Sequence, residues 1–172
     1  MDSKSGVSGA GRTPAPAYHY PEANEAMMAY KIGTHRHTPE IEQELSNMAD
    51  TGVIVSFTPH LTPMNRGILT TTYSKLKEIT GPDTLLKLYA KFYRKDFFVR
   101  VMGKGNYPNV SNVRGSNFCD IGLYSDLRTH RVVVVSAIDN LVKGAAGQAV
   151  QNMNIMLGFE ETEGLKHLGM FP

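Results

Sequence analysis

Residues 118–139 read FCDIGLYSDLRTHRVVVVSAID, and this stretch decides the fold class. FCDIGLYSD (118–126) and RVVVVSAID (131–139) are both rich in β-branched, aromatic and apolar residues, and only Leu127 to His130 separate them. So short a connection joins antiparallel neighbours, because a parallel pair needs a crossover of a dozen residues or more. The valine run from Val132 to Val135 predicts burial on both faces. A paired-strand unit inside a chain that also carries helices predicts an α+β fold, not the strict alternation of a doubly wound nucleotide-binding sheet.

Working outward, DFFVRVM (96–102) reads as a strand, with a polar loop GKGNYPNVSNVRGSN between it and the paired strands. GPDTLLKLYAKFYRK (81–95) is a helix started by Pro82 and Asp83, with Leu85, Leu88, Tyr89 and Phe92 on one face. GILTTTYSKL (67–76) and VIVSFTPHL (53–61) read as strands, and AMMAYKI (26–32) as a short one. NLVKGAAGQAVQNMNIMLG (140–158) starts loosely, becomes helical and stops at Gly158. Residues 1–24, rich in Gly and Ser and then broken by prolines, read as irregular. With no internal repeat and no second composition block, residues 1–172 form a single domain.

The chain has 172 residues, enough for one domain with its own core. A formal net charge of +2 demands neither nucleic acid nor an anionic membrane as partner. No apolar run reaches bilayer length, and MDSKSGVSGAGR lacks the apolar centre of a signal peptide. A single cysteine, Cys119, cannot form an internal disulfide, which suits the cytoplasm. It lies in an apolar strand, where free cysteines are usually inert packing residues.

The chemistry concentrates in GTHRHTPEIEQEL (33–45). In an extended segment His35 and His37 project to one side, with Arg36 on the other. A helix from Thr38 to about Ala49 follows: Thr38 suits the N-cap, Pro39 the first helical position, and Glu40 the positive end of the dipole. Ile41, Leu45 and Met48 fall on one face, expected to be buried. The histidines suit proton transfer or substrate binding, with Glu40 or Arg36 assisting. They also suit two ligands of a metal site, or simply two half-exposed imidazoles bonded to turn carbonyls. No third and fourth ligand cluster nearby, so no metal is expected.

Three further stretches carry alternatives. SGVSGAGR is either a loop whose amides and Arg12 hold a carboxylate or phosphate, or a flexible tail. DNLVKGAAGQAVQ places Asn140 and Lys143 before Gly144 to Gly147, small residues that admit a ligand or a packed helix. Arg114 in NVRGSN reaches an anion or lies solvated in its loop.

In combination these stretches are far more specific. SKSGVSGAGR, GTHRHTPEIEQEL, SFTPHLTPMNRGI, FCDIGLY and AIDNLVKGAAGQAVQNMNIMLGF, in that order, resemble the N-acetyl-γ-glutamyl-phosphate reductase family from Asp2 to Leu165. DNLVKGAAGQAVQ is also similar to aspartate-semialdehyde dehydrogenase. The resemblance implies reduction of N-acetyl-γ-glutamyl phosphate to N-acetyl-glutamate 5-semialdehyde in arginine biosynthesis, through a cysteine thioester and with NADPH. It implies a catalytic domain like the C-terminal domain of glyceraldehyde-3-phosphate dehydrogenase: a mixed, largely antiparallel sheet with helices on one face, carrying the interface of a dimer or tetramer.

Residue by residue, the resemblance matches His37 to the histidine nearest the thiol, and His35 and Glu40 to the other polar residues of that catalytic corner. Ser5, Ser8, Gly9 and Arg12 match the loop after the nucleophile, and with Arg114 would bind substrate. Asn140, Lys143 and Gly144 match the segment that faces the NADP(H) nicotinamide. The family's nucleophilic cysteine and glycine-rich Rossmann cofactor domain lie upstream of SKSGVSGAGR. The chain is therefore expected to be the catalytic and dimerisation domain alone, inactive in isolation and without tight cofactor binding. The alternative is a non-enzymatic dimerisation module that keeps the fold.

Overall fold

The hairpin forms as its spacing requires. In the computed structural model, which describes residues 1–170, β6 (Cys119–Asp126) and β7 (Arg131–Ile138) pair antiparallel from Asp126 against Arg131 to Cys119 against Ile138. They anchor a seven-stranded sheet in the order β2-β3-β1-β4-β7-β6-β5. The other strands are β1 (Asp2–Gly6), β2 (Met28–Ala29), β3 (Thr58–Thr62), β4 (Ile68–Lys75) and β5 (Val99–Val101). Only β1 with β3 and β5 with β6 run parallel; the remaining neighbours are antiparallel. The sheet is thus mixed and largely antiparallel, as expected.

The strongest correction concerns residues 1–24. Asp2–Gly6 is not irregular but an interior strand, paired with β3 on one side and β4 on the other. A short turn over Val7–Ala10 and a single helical turn, α1 (Tyr20–Ala23), follow. The other shortened strands have physical causes. In VIVSF the Val53 N–H donates to Ser46 Oγ at 2.9 Å and the Val55 N–H to Glu42 Oε1 at 3.0 Å. Those amides are taken by helix side chains, so β3 starts only at Thr58.

Side-chain alternation gives the sheet two different faces. On one, α3 (Pro82–Phe92) lays Leu85, Leu86 and Tyr89, with Tyr93 just beyond it, over Ile121, Leu123, Val132 and Val134. Leu88 and Phe92, expected on that buried side, are exposed instead. The helix α2 (Thr38–Ala49) stands over the same face, its Ile41 lining a hollow there. The expected stripe is only partly realised: Ile41 and Leu45 are half-buried and Met48 is 71% exposed.

On the opposite face the described helices cover only the Leu69–Ala137 end, where Val150 packs. Residues 106–108 cross it at Gly122, where a Cβ would stand 2.7 Å from Pro108 Cδ. Beyond that crossing, Tyr73, Val133 and Tyr124 form one row across three strands, and Tyr73 and Tyr124 stay exposed. The valine run is therefore half-open on this side and not doubly buried. A second core, Phe98, Val113, Phe118, Ala137 and Leu165, sits at the β5–β6 end with Val150 packed against it.

Val150 belongs to α4 (Gly147–Leu157), entered through a π-helical turn at Val142–Ala146 and ended by left-handed Gly158. This helix is inverted. Its buried positions are Gly147, Gln151 and Asn154, while Ile155, Met156 and Leu157 are 58%, 83% and 63% exposed. The buried amides are satisfied: Lys143 Nζ and Asn117 Nδ2 donate to Gln151 Oε1, Gln151 Nε2 to Glu161, and Asn154 Nδ2 to the Glu161 and Glu163 carbonyls.

Candidate active site

A hollow of about 670 Å³ opens on the α3 side of the sheet, over β2, β3, β1 and β4. Its walls come from separated stretches of chain. Ser5, Gly6, Gly9 and Ala10 form one side, His35, Arg36 and His37 another, and Asn140, Leu141, Gly144 and Ala145 a third, with Phe57, Leu61 and Ile68 below.

The histidines arrive by a turn and not by an extended strand. Gly33 has φ 70° and Lys31 φ 47°, and the Thr34 and Thr38 N–H groups close turns onto the Lys31 and His35 carbonyls. The two rings still meet, edge to face, with centroids 4.9 Å apart. His37 caps α2, and its N–H donates to His35 Nδ1 at 3.2 Å. That bond makes His35 Nδ1 an acceptor and leaves the ring proton on Nε2. Tyr30 and Phe57 pack edge-on against the same ring at 5.6 and 5.3 Å. Burial, then the positive neighbours His37, Lys31 and Arg36, hold the His35 pKa below its ordinary value. Thr38 does not cap the helix: it lies inside the first turn, with Oγ1 buried and unpartnered.

The remaining expected residues divide. Ser5, Gly9, Asn140 and Gly144 join the histidines in the hollow. Glu40 does not line it; exposed in the first turn of α2, it serves the helix dipole. Arg12 is exposed beyond the Val7–Ala10 turn, and neither it nor Arg114 lines the walls. Ser8 stands behind the wall, where its Oγ accepts from Asn140 Nδ2 at 2.9 Å. Lys143 turns inward to Gln151 at 2.7 Å and lies over the Phe98 ring at 5.5 Å, and its burial lowers its pKa.

The stretch expected to face a nicotinamide ring reaches the hollow mainly through its small residues. Gly144 and Ala145 are exposed and bare, a wall that a flat ring can approach closely. Of the two residues expected to face the cofactor, Asn140 lines the hollow while its amide also bonds Gly67 N and Ser8 Oγ, and Lys143 turns to Gln151.

Sequence reasoning missed Tyr18, Tyr30 and Lys31, which also line the hollow. Burial, then Tyr18, raises the Tyr30 pKa. The stretch 26–32 read as a plain strand, and nothing in it marked a turn that carries side chains into a site. Cys119 is half-buried against the core under α3. Burial pushes its thiol up to about 11, so the thiolate is scarce at neutral pH. Among the described residues no three His, Cys, Asp or Glu side chains cluster as metal ligands.

With this fold and hollow, the chain belongs to the semialdehyde dehydrogenase dimerisation-domain family, whose model matches residues 1–140. Its similarity is more particular than that. It is 61% identical over 172 residues to an N-acetyl-gamma-glutamyl-phosphate reductase of Geobacter metallireducens, covering 99% of this chain and 50% of that protein. It is 55% identical to the Thermoanaerobacter sp. (strain X514) protein of the same name, covering 100% and 50%. The chain thus spans about half the length of the curated relatives it matches.

Among solved structures, aspartate semialdehyde dehydrogenase II from Vibrio cholerae superposes with a TM-score of 0.70 at 14% identity, over 91% of this chain and 54% of that one. A probable aspartate-semialdehyde dehydrogenase from Pseudomonas aeruginosa gives 0.69 at 16%, over 91% and 53%. These likenesses bear out the fold class read from the hairpin. No helix among the described residues is long and apolar enough to cross a membrane.

Proposed function

We propose that this chain is the catalytic and dimerisation portion of a cytoplasmic, NADPH-dependent N-acetyl-γ-glutamyl-phosphate reductase of arginine biosynthesis. The observation that carries the reading is the hollow, which gathers His35, His37, Ser5, Gly9 and Gly144 from distant stretches of chain. The nucleophilic cysteine and the Rossmann unit lie in the half of the relatives' length that this chain does not span. On this reading a thiolate from that other half would displace phosphate from the acyl phosphate, and hydride from a bound nicotinamide cofactor would turn the thioester into aldehyde and return the thiolate. NADPH supplies the hydride.

The chain's own residues supply the surroundings. His35 Nε2–H polarises the reacting carbonyl, His37 exchanges the proton, and Ser5, with Gly9 beside it on the wall of the hollow, faces the anionic end of the substrate. The inverted helix α4 supports the same reading. An exposed run of Ile155, Met156 and Leu157 is a poor solvent face, and on this reading the Rossmann unit would cover it. The test is reconstitution. This chain mixed with the other half of the reductase gives N-acetyl-γ-glutamyl-phosphate-dependent NADPH oxidation, and neither half does so alone. Silence from the mixture, where the uninterrupted enzyme turns over under the same conditions, defeats the reading and favours a dimerisation module.

The homo-oligomer forms, on this reading, through the open face of β4, β7 and β6, where the Tyr73–Val133–Tyr124 row lies uncovered. Val133→Lys places a charge at the middle of that row and is expected to convert the dimer to monomer in analytical ultracentrifugation. A dimer of unchanged affinity would move the interface elsewhere.

A further inference from the structure

We propose that Asp139 and Asn140 are positioning residues that set the Gly6–Ala10 loop at the mouth of the hollow. The loop GVSGA has almost no side chain with which to fix itself. It is fixed by its backbone against the turn between β3 and β4. Gly6 N donates to the Gly67 carbonyl at 2.9 Å, Val7 N to the Met64 carbonyl at 2.9 Å, and Ser8 N to the Asn65 carbonyl at 3.2 Å. The approach is so close that a Cβ on Gly6 would stand 2.8 Å from Met64 O and 2.9 Å from Asn65 O.

That turn is in turn held by the end of β7. The Arg66 guanidinium meets the Asp139 carboxylate, Nη2 at 3.2 Å from Oδ1 and Nε at 3.1 Å from Oδ2. Gly67 N donates to Asn140 Oδ1 at 2.7 Å. Asn140 then reaches the loop directly, Nδ2 donating to Ser8 Oγ at 2.9 Å. Both ends of the amide are therefore engaged with protein. Asp139 has no exposure, and its remaining lone pairs take the N–H groups of Leu141, Val142 and Gly115. One dipeptide thus ties together the sheet, the turn that templates the loop, and the loop itself.

The experiment is residue-resolved hydrogen exchange on this chain, with no catalysis required. In Asn140→Leu, the Val7 and Ser8 amides are expected to exchange about tenfold faster or more, while amides of β6 and β7 keep their protection. Asn140→Asp restores part of it, because a carboxylate still accepts from Gly67 N and the Ser8 hydroxyl can donate to it. Unchanged loop exchange in Asn140→Leu overturns the proposal, as does an equal rise throughout the sheet, which would mark a merely stabilising residue. A catalytic arm rests on the reductase reading above. In the complete enzyme Asn140→Leu lowers kcat and leaves the KM for NADPH unchanged, whereas a raised KM for NADPH with kcat kept would make Asn140 a cofactor contact. A wild type without turnover defeats that reading, and the exchange result still decides the proposal.

Discussion

On the reductase reading, His37→Ala is expected to lower kcat of the reconstituted enzyme by about 10²–10⁴-fold, the range general acid–base groups supply. The effect is assigned to His37 and not to its neighbour because the two imidazoles are placed differently. His35 is wedged among Tyr30, Phe57 and His37, and its Nδ1 already accepts from the His37 N–H. Its lowered pKa keeps it neutral further into acid than an ordinary histidine. That suits a fixed Nε2–H donor better than a group that must gain and lose a proton each turnover. His37 is exposed at the mouth of the hollow, touching His35 with its ring.

The pH profile separates the two roles. His37→Ala removes the limb due to the proton-transferring group, while His35→Gln, which keeps a donor, lowers kcat but leaves that limb in place. The sign for stability agrees with the placement. Protonating His35 opposes folding, so its contribution is present above the ordinary histidine range and lost as pH falls below it. Turnover of His37→Ala within twofold of wild type would remove His37 from the chemistry.

What the sequence reveals about this molecule depends on whether the cause is local. The hairpin, α3 and the extent of α2 follow from signals within a few residues, and they form where expected. The strand β1 has no such signal. DSKSG is short and polar, and it becomes a strand because β3 and β4 flank it and Ser3 Oγ shares a 2.8 Å hydrogen bond with Thr70 Oγ1. VIVSF shows the converse, a strong β pattern whose amides α2 takes before a strand can. The site divides in the same way. Two histidines in one turn are visible as a pair in any reading of the chain. Tyr18 and Tyr30 join them only through the fold, and in the Asn140–Gly144 stretch Lys143 turns away to Gln151 while Asn140 and Gly144 line the hollow.

Asp139→Ala is the substitution expected to cost the fold most, about 3–5 kcal/mol, the scale of orphaning two or more buried donors at about 1–3 kcal/mol each. Of a typical total of roughly 5–15 kcal/mol that is a large share. The reason lies in what is left behind. Asp139 is fully buried and accepts from Arg66, Leu141, Val142 and Gly115. Removing the carboxylate orphans those backbone N–H groups and the guanidinium at once, and an unpaired buried donor costs about 1–3 kcal/mol by itself. Asp139→Asn keeps the shape but turns an NH₂ toward groups that are all donors, so it is expected to rescue little. Arg66→Met is the control. Arg66 is partly exposed, and without it the carboxylate still holds three N–H groups, so the loss is smaller. Urea unfolding of the three variants orders them, read at unchanged slope. Asp139→Ala within about 1 kcal/mol of wild type, the size of a single ordinary hydrogen bond, would mean that water replaces the carboxylate and that this junction is not what holds the turn against the sheet.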